Sequence, residues 1–155
     1  LALGLSVERN IMLGNYPEYS DRYGNVDSKR CQKTSEEQVK ALRIKTPHLE
    51  QAALNLSGGN QQKIIIARWV CKDTDILIFD EPTRGIDVGA KLEIYELMNR
   101  LVAKGKSIIM ISSELPEVLG MCDRILVMRN GRITGELASD DATQEKIMQY
   151  ATLED

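Results

Sequence analysis

Short apolar runs punctuate the second half of the chain: ILIF at 76–79, SIIMI at 107–111 and RILVM at 124–128. Each is too short for a helix and is bounded by charged or turn-forming residues, which predicts buried β-strands. Between the first two, the segment after Val88 sets Leu92, Tyr95, Met98, Leu101 and Val102 on one stripe, an amphipathic helix that Gly105 stops. A short helix is expected after Ser113. Asn130-Gly131, lying between RILVM and RITGE, predicts a hairpin, and Asp140 or Asp141 is placed to cap a last amphipathic helix through about Tyr150. Apolar strands alternating with helices predict an α/β fold, a parallel sheet covered on both faces, with antiparallel strands closing it.

The first half has a different grammar. LALGLSVERNIML opens the chain already patterned, and there is no initiator Met at Leu1, so the sequence reads as a piece of a longer one. Residues 16–33 have no clear period and read as loop or weak helix. Ser35 with Gln38 three residues on makes a capping box for a helix to about Leu42. Thr46 and Pro47 fit an N-cap and first helical position for a short helix to about Leu54. From Gly58 a helix should run to about Cys71. Residues 1–56 are therefore expected to form a helical subdomain that continues into a helix over 57–72, and residues 73–155 to form the core half.

Composition narrows the class. At 155 residues, 43% of them apolar and 28% charged, the chain is an ordinary single globular domain in size and character. A net charge of −3 argues against a nucleic-acid face. Cys31, Cys71 and Cys122 are odd in number and unpaired in spacing, as expected of reduced thiols. No run is long enough to span a bilayer, and Glu8 and Arg9 interrupt anything resembling a signal peptide.

Two stretches can carry chemistry. ILIFDEP places Asp80 and Glu81 at the carboxyl end of a strand, the edge at which parallel sheets bind ligands. There Asp80 can orient a Mg²⁺ ion through its water shell and Glu81 can polarise an attacking water. The plainer alternative is a strand that ends in two solvated acids before a turn led by proline. LSGGNQQK puts Ser57, Gly58, Gly59 and Asn60 at a helix start, where unpaired N–H groups carry partial positive charge. With no Cβ at either glycine, a phosphate could reach the bare backbone and the Ser57 hydroxyl. Alternatively this is an ordinary capping serine followed by flexible glycines.

Taken together and in this order, LSGGNQQKIIIARWV and ILIFDEPTRGID resemble the ATP-binding-cassette ATPases. Residues 56–60 match that family's signature, 76–80 its Walker B strand, Glu81 its catalytic glutamate and 85–87 its D-loop. RILVMRNGRITGE resembles its closing hairpin. GGNQQK, EPTRGIDVGAK and ISSELPEVLGMCDRI further resemble the second cassette of the tandem-cassette proteins of bacterial sugar importers. LSVERNIML is similar to the start of the helical subdomain, just past the Q-loop.

The resemblance implies ATP and Mg²⁺ as cofactors, with two cassettes sandwiching nucleotide head to tail. Ser57, Gly58, Gly59 and Asn60 would then face the γ-phosphate of an ATP held by the first cassette of the same full-length protein. Asp87 would lie at the contact between cassettes, unless it merely leads a helix. Permease subunits and, indirectly, a periplasmic or extracellular sugar-binding protein are the implied partners, with no nucleic acid. The implied location is cytoplasmic and peripheral on the inner membrane face. Two departures matter. No GxxxxGK[ST] loop is present, so the isolated chain is expected to be inactive and its sheet to expose an apolar edge. Ser113 stands where the family usually has a histidine, which makes the Asp80/Glu81 site the weaker of the two and the site completed by Ser57 the productive one. A soluble cassette protein without a membrane partner, or a non-catalytic interaction module, are the other readings.

Elsewhere His48 reads as a surface residue, Trp69 as packing on the signature helix, and the six methionines as core filling. Lys91, Arg129 and Arg132 read as solvated, and Thr83 and Arg84 have no role assignable from sequence.

Overall fold

A computed structural model describes residues 1–152. In chain order the elements are α1 (Val7–Met12), α2 (Ser28–Ala41), α3 (Gly58–Val70), β1 (Ile76–Asp80), α4 (Val88–Ala103), β2 (Ser107–Ile111), α5 (Leu115–Met121), β3 (Arg124–Arg129), β4 (Arg132–Ala138) and α6 (Gln144–Thr152). Short 3₁₀ turns fall at Tyr16–Tyr19, Ala53–Asn55 and Ser139–Asp141. Two compact units divide these residues: Leu1–Leu77 with Thr83–Ile109, and Ile78–Pro82 with Met110 onward. The division cuts through β1 and β2, whose first residues belong to the first unit and last residues to the second.

β1 and β2 are neighbours in a two-stranded sheet. They run the same way, because Ser107 N–H donates to Asp75 C=O at their starts and Glu81 N–H donates to Ile111 C=O at their ends. The fold is therefore α/β with a parallel pair, and β3 and β4 add the expected antiparallel hairpin, registered from Arg124↔Ala138 to Arg129↔Arg132. Asn130 and Gly131, at φ +49° and +76°, supply the two left-handed positions that the tight turn needs.

In the first unit α1 packs on α3 and α2, burying Val7, Ile11, Met12, Ile64 and Ala67. Ser6 caps α1 by accepting from Arg9 N–H at 3.2 Å. Asn10, fully buried, donates through Nδ2 to the carbonyls of Ala2, Leu5 and Ser6. Arg68 on α3 donates to Asn10 O at 2.8 Å, and Asn15 returns a bond to Arg68 O at 2.9 Å. These polar ties fix α1 across α3, and none of them was foreseen.

Several expectations need correction. α2 begins at Ser28, capped by Asp27 accepting from Arg30 N–H at 3.0 Å, not at Ser35. Only Cys31 and Ser35 are buried along it, and Ser35 lies inside the helix, where the apparent capping box with Gln38 caps nothing. Thr46–Leu54 is not an α-helix. Thr46 Oγ1 instead donates to His48 C=O, and the carbonyls of Leu49 and Gln51 accept from Glu8 and Val7 N–H, so tertiary backbone pairing overrides the local capping pattern. On α4 the buried stripe is Ile94, Leu97, Met98 and Leu101, while Leu92 and Val102 are exposed. β1 is not buried on both faces: Leu77 and Phe79 are buried, but Ile76 and Ile78 are 60% and 67% exposed. A uniformly apolar run cannot reveal which of its faces is covered.

In the second unit Ile125, Val127, Leu137 and Ile147 form the core, with Leu115, Val118 and Leu119 of α5 against them. The Tyr150 ring of α6 rests on Gly135 so closely that a Cβ there would lie 2.3 Å from the ring carbon Cγ. Thr143, not Asp140 or Asp141, caps α6, accepting from Lys146 N–H at 3.2 Å, since the two aspartates belong to the preceding 3₁₀ turn. Trp69 is half exposed, with Lys72 Nζ 5.5 Å from its ring centroid. Met12 and Met98 fill cores, whereas Met128 and Met148 are exposed. His48 is on the surface, its Nδ1 3.4 Å from Glu50 Oε2. The three cysteines are free thiols, and burial pushes Cys71 up to about 11, with the Glu18 carboxylate adding to it. No helix among the described residues is long and apolar enough to cross a membrane.

Candidate functional site

The residues singled out in the sequence fall into two groups, one in each unit. In the first unit Ser57 is the N-cap of α3, and its side chain makes no capping bond to the helix backbone. Its Oγ instead accepts from Asn60 Nδ2 at 2.9 Å. A hydroxyl that accepts still has its own proton to give, so Ser57 is left a donor at the helix start. Asn60 is itself held, Oδ1 accepting from Lys45 N–H at 2.8 Å. The first turn of α3 thus presents a hydroxyl beside uncapped N–H groups, at the end of a 13-residue helix where the dipole favours an anion.

The two glycines differ in a way that the sequence did not distinguish. A Cβ on Gly58 would sit at ordinary contact distance, 3.5 Å, from Ile86 Cγ2. On Gly59 it would come within 2.6 Å of Ala90 Cβ. Gly58 could take a Cβ at ordinary contact with the 85–86 segment, whereas Gly59 is bare because α4 occupies the space. Asp87 caps α4, its carboxylate accepting from Ala90 N–H at 2.9 Å. The structure therefore brings Asp87 and the Ser57–Asn60 turn into one neighbourhood, through Ile86 and Ala90.

In the second unit Asp80 is exposed at the end of β1, and Glu81 follows in a left-handed backbone at φ +47°. A non-glycine residue rarely adopts that region, and such strain concentrates at functional positions. Two hydrogen bonds enforce it: Glu81 N–H to Ile111 C=O at 2.9 Å, and Ser113 N–H to Glu81 Oε1 at 3.0 Å. The sequence singled out the side chain of Ser113, whereas it is the peptide N–H that reaches Glu81. Ser112 and Glu117 were missed altogether. Ser112 Oγ donates to the nearly buried Glu117 carboxylate and accepts from Glu114 N–H at 3.0 Å, shaping the turn that aims Ser113. The signal was the serine turn in SSEL, a side chain able to bond the backbone two residues on.

Among the described residues no group of three or more His, Cys, Asp or Glu is arranged to hold a metal.

A sequence profile for the ABC transporter family matches residues 3–84. Among curated proteins, the ribose import ATP-binding protein RbsA of Clostridium perfringens (strain SM101 / Type A) is 57% identical over 149 residues, covering 96% of this chain and 30% of that protein. RbsA 1 of Rubrobacter xylanophilus is 57% identical over 148 residues, with the same two coverages. The chain thus spans under a third of the length of these relatives. Among solved structures, a nucleotide-free ATP-binding cassette from an ABC transporter superposes with TM-score 0.77 at 22% identity, covering 96% of this chain and 60% of that one. The dimeric post-hydrolysis cassette MJ0796 bound to ADP and Pi gives 0.75 at 21%, covering 90% and 58%.

Proposed function

The chain belongs to the ABC transporter family, and from that premise we propose that it is part of the ATP-binding subunit of a bacterial carbohydrate importer. Its relatives are named as ribose import ATP-binding proteins. In the intact protein it couples ATP binding and hydrolysis to monosaccharide uptake, working with permease subunits from the inner face of the membrane and served by a sugar-binding protein outside. Residues 1–56 act as the helical subdomain, 57–72 as the signature helix and 73–155 as the core half.

The observation that carries this reading is the start of α3: Ser57 Oγ accepts from Asn60 and keeps its proton for an outside acceptor, beside N–H groups that no side chain caps. Such a turn suits the γ-phosphate of an ATP held by another cassette, here the first one of the same protein. Ser57 donates to a phosphate oxygen, Gly58 lets the backbone approach, and Asn60 fixes the hydroxyl. Asp87, at the N-terminus of α4 and next to that turn, is the residue through which this half-site senses its partner. In the second unit Glu81, its carboxylate oriented by Ser113 N–H, would polarise an attacking water, and Asp80 would hold Mg²⁺. When bound, the ion neutralises charge developing on the phosphates.

Ser57→Arg tests the reading, because it fills the approach with a bulky side chain and removes the hydroxyl. In the intact protein ATP turnover is expected to fall on the order of 10²-fold or more, the scale on which preorganised donors act. Unaltered turnover overturns the proposal.

A further inference from the structure

Lys63, one turn beyond Asn60 on α3, is 2% exposed. Burying an ammonium is costly unless it is paired and hydrogen-bonded, so its surroundings have to be built around it. They are. Nζ lies 2.6 Å from Glu93 Oε2 on α4 and donates to Arg43 C=O at 3.1 Å. That carbonyl is turned toward the lysine by a left-handed Arg43, φ +50°, which ends α2 where glycine is the usual choice.

The contacts around this pair all lead to the phosphate-facing turn. Two residues on, Lys45 N–H donates to Asn60 Oδ1, the same amide that holds Ser57 Oγ. Lys45 Nζ also stands 4.0 Å from Glu93 Oε1, and Arg43 Nη1 stands 3.9 Å from Glu96. The turn at residues 43–45 is therefore gripped twice by α3, through Asn60 and through Lys63, and bound to α4 through Glu93 and Glu96. α4 is the helix that Asp87 caps, and it presses on Gly59 through Ala90.

A hydrophobic residue at position 63 would fill the same space without the desolvation cost. What it would not do is fix the rotation of α3 relative to both the 43–45 turn and α4. We infer that Lys63, with Glu93 as its counter-ion, is a positioning residue for ATP turnover: it locks the orientation of α3 so that Asn60 holds the Ser57 hydroxyl in aim and the signature turn moves with the Asp87 segment. The inference rests on the reading of Ser57–Asn60 as a phosphate-binding turn.

The test uses the intact protein with its permease and four variants: Lys63→Met, Lys63→Arg, Glu93→Gln and Ser57→Arg. Nucleotide sites are counted by ADP titration, since ADP lacks the γ-phosphate that the turn addresses, and turnover is expressed per ADP site beside the thermal midpoint. Lys63→Met is expected to keep the number of ADP sites and the KM for ATP within about threefold while kcat per site falls roughly tenfold or more. Lys63→Arg should recover part of that loss, and Glu93→Gln, on a residue 42% exposed in its side chain, should reproduce it in milder form. A purely structural lysine gives a different pattern: midpoint and ADP sites fall together, and kcat per site stays within twofold of wild type, which overturns the inference. If Lys63→Met does not fold, Glu93→Gln decides, and wild-type turnover per site in that variant overturns it equally. Ser57→Arg separates the two levels. If it inactivates while the Lys63 and Glu93 variants do not, only the positioning role is wrong; if it is neutral, the phosphate-binding reading itself is wrong.

Discussion

The peptide N–H of Ser113 donates to Glu81 Oε1 at 3.0 Å, although the two residues lie 32 positions apart in the chain. The bond comes from the backbone, so the serine side chain is dispensable to it. Measured in a Ser57→Arg background, where the Asp80/Glu81 site is the one left to turn over, Ser113→Ala should leave ATP turnover within about twofold, whereas Ser113→Pro, which removes the donor, should lower it by roughly tenfold or more. Steady-state phosphate release with each variant decides, and a large loss in Ser113→Ala would show that the hydroxyl acts directly.

Gly58 and Gly59 are adjacent and look interchangeable, yet their substitutions should separate stability from activity. Alanine at 58 meets only ordinary contacts. As a helix former it should stabilise by up to about 1 kcal/mol, while its methyl group obstructs the phosphate approach and depresses turnover. Alanine at 59 meets Ala90 Cβ at 2.6 Å and should destabilise by about 1–3 kcal/mol through overpacking. Ala90→Gly in the same molecule should recover most of that loss. Denaturant titrations beside turnover measurements check both, and equal stability effects at the two positions would refute the distinction.

How much of this could be read in advance follows from the kind of signal each part leaves. The α3 start, the strands at 76–80 and 107–111, the hairpin and the α4 boundaries are written in local patterns, namely apolar runs, Asn-Gly and a helix-stopping glycine. Asp80 and Glu81 were legible because a strand end is a place that sequence can locate. The segment at 46–54 was misread because the backbone of residues 49–52 is claimed by residues 5–8, a partner that no window around Thr46 contains. α2 starts earlier than expected because Ser35 and Gln38 imitate a capping box from inside the helix, while Asp27 is the working cap. Ser113 was chosen for its side chain because sequence names side chains, and a peptide donor is anonymous. Lys63 had one weak mark, a lone charge entering the apolar run IIIARWV, and only the fold reveals that Arg43 and Glu93 were waiting for it.

The packing of Tyr150 on Gly135 makes the hairpin and α6 a single unit. Gly135→Ala would push a methyl group to 2.3 Å from the ring carbon, so the ring has to leave or the strand has to shift. A destabilisation of about 1–3 kcal/mol is expected, the usual cost of overpacking. Adding Tyr150→Ala should relieve the clash but forfeit the ring's burial, so the double variant should be no more stable than Tyr150→Ala alone. Thermal unfolding of the four members of that cycle checks it. Additive effects would mean that glycine is needed there for the strand backbone and not for the ring.

The Lys63–Glu93 pair should also be visible in the pH dependence of stability. The hydrogen bond from Lys63 holds the Glu93 carboxyl below its ordinary range, with the Lys63 and Lys45 charges adding to it. A carboxyl depressed on folding contributes stability that is fully present above its unfolded value, about 4.3, and is lost as the pH falls through the lower folded value. In acid, then, the wild type should lose stability that Lys63→Met, which has no such pair, does not have to lose. Its stability curve should fall more steeply than that of the variant below about pH 4.5, while the two run parallel above pH 6. Glu93 is 42% exposed in its side chain, so the extra slope is modest and is best read as a difference between the two proteins at matched ionic strength. Thermal midpoints measured from pH 3 to 7 provide it. Parallel limbs throughout would mean that Glu93 titrates alike in folded and unfolded protein, and that the lysine is held by the Arg43 carbonyl alone.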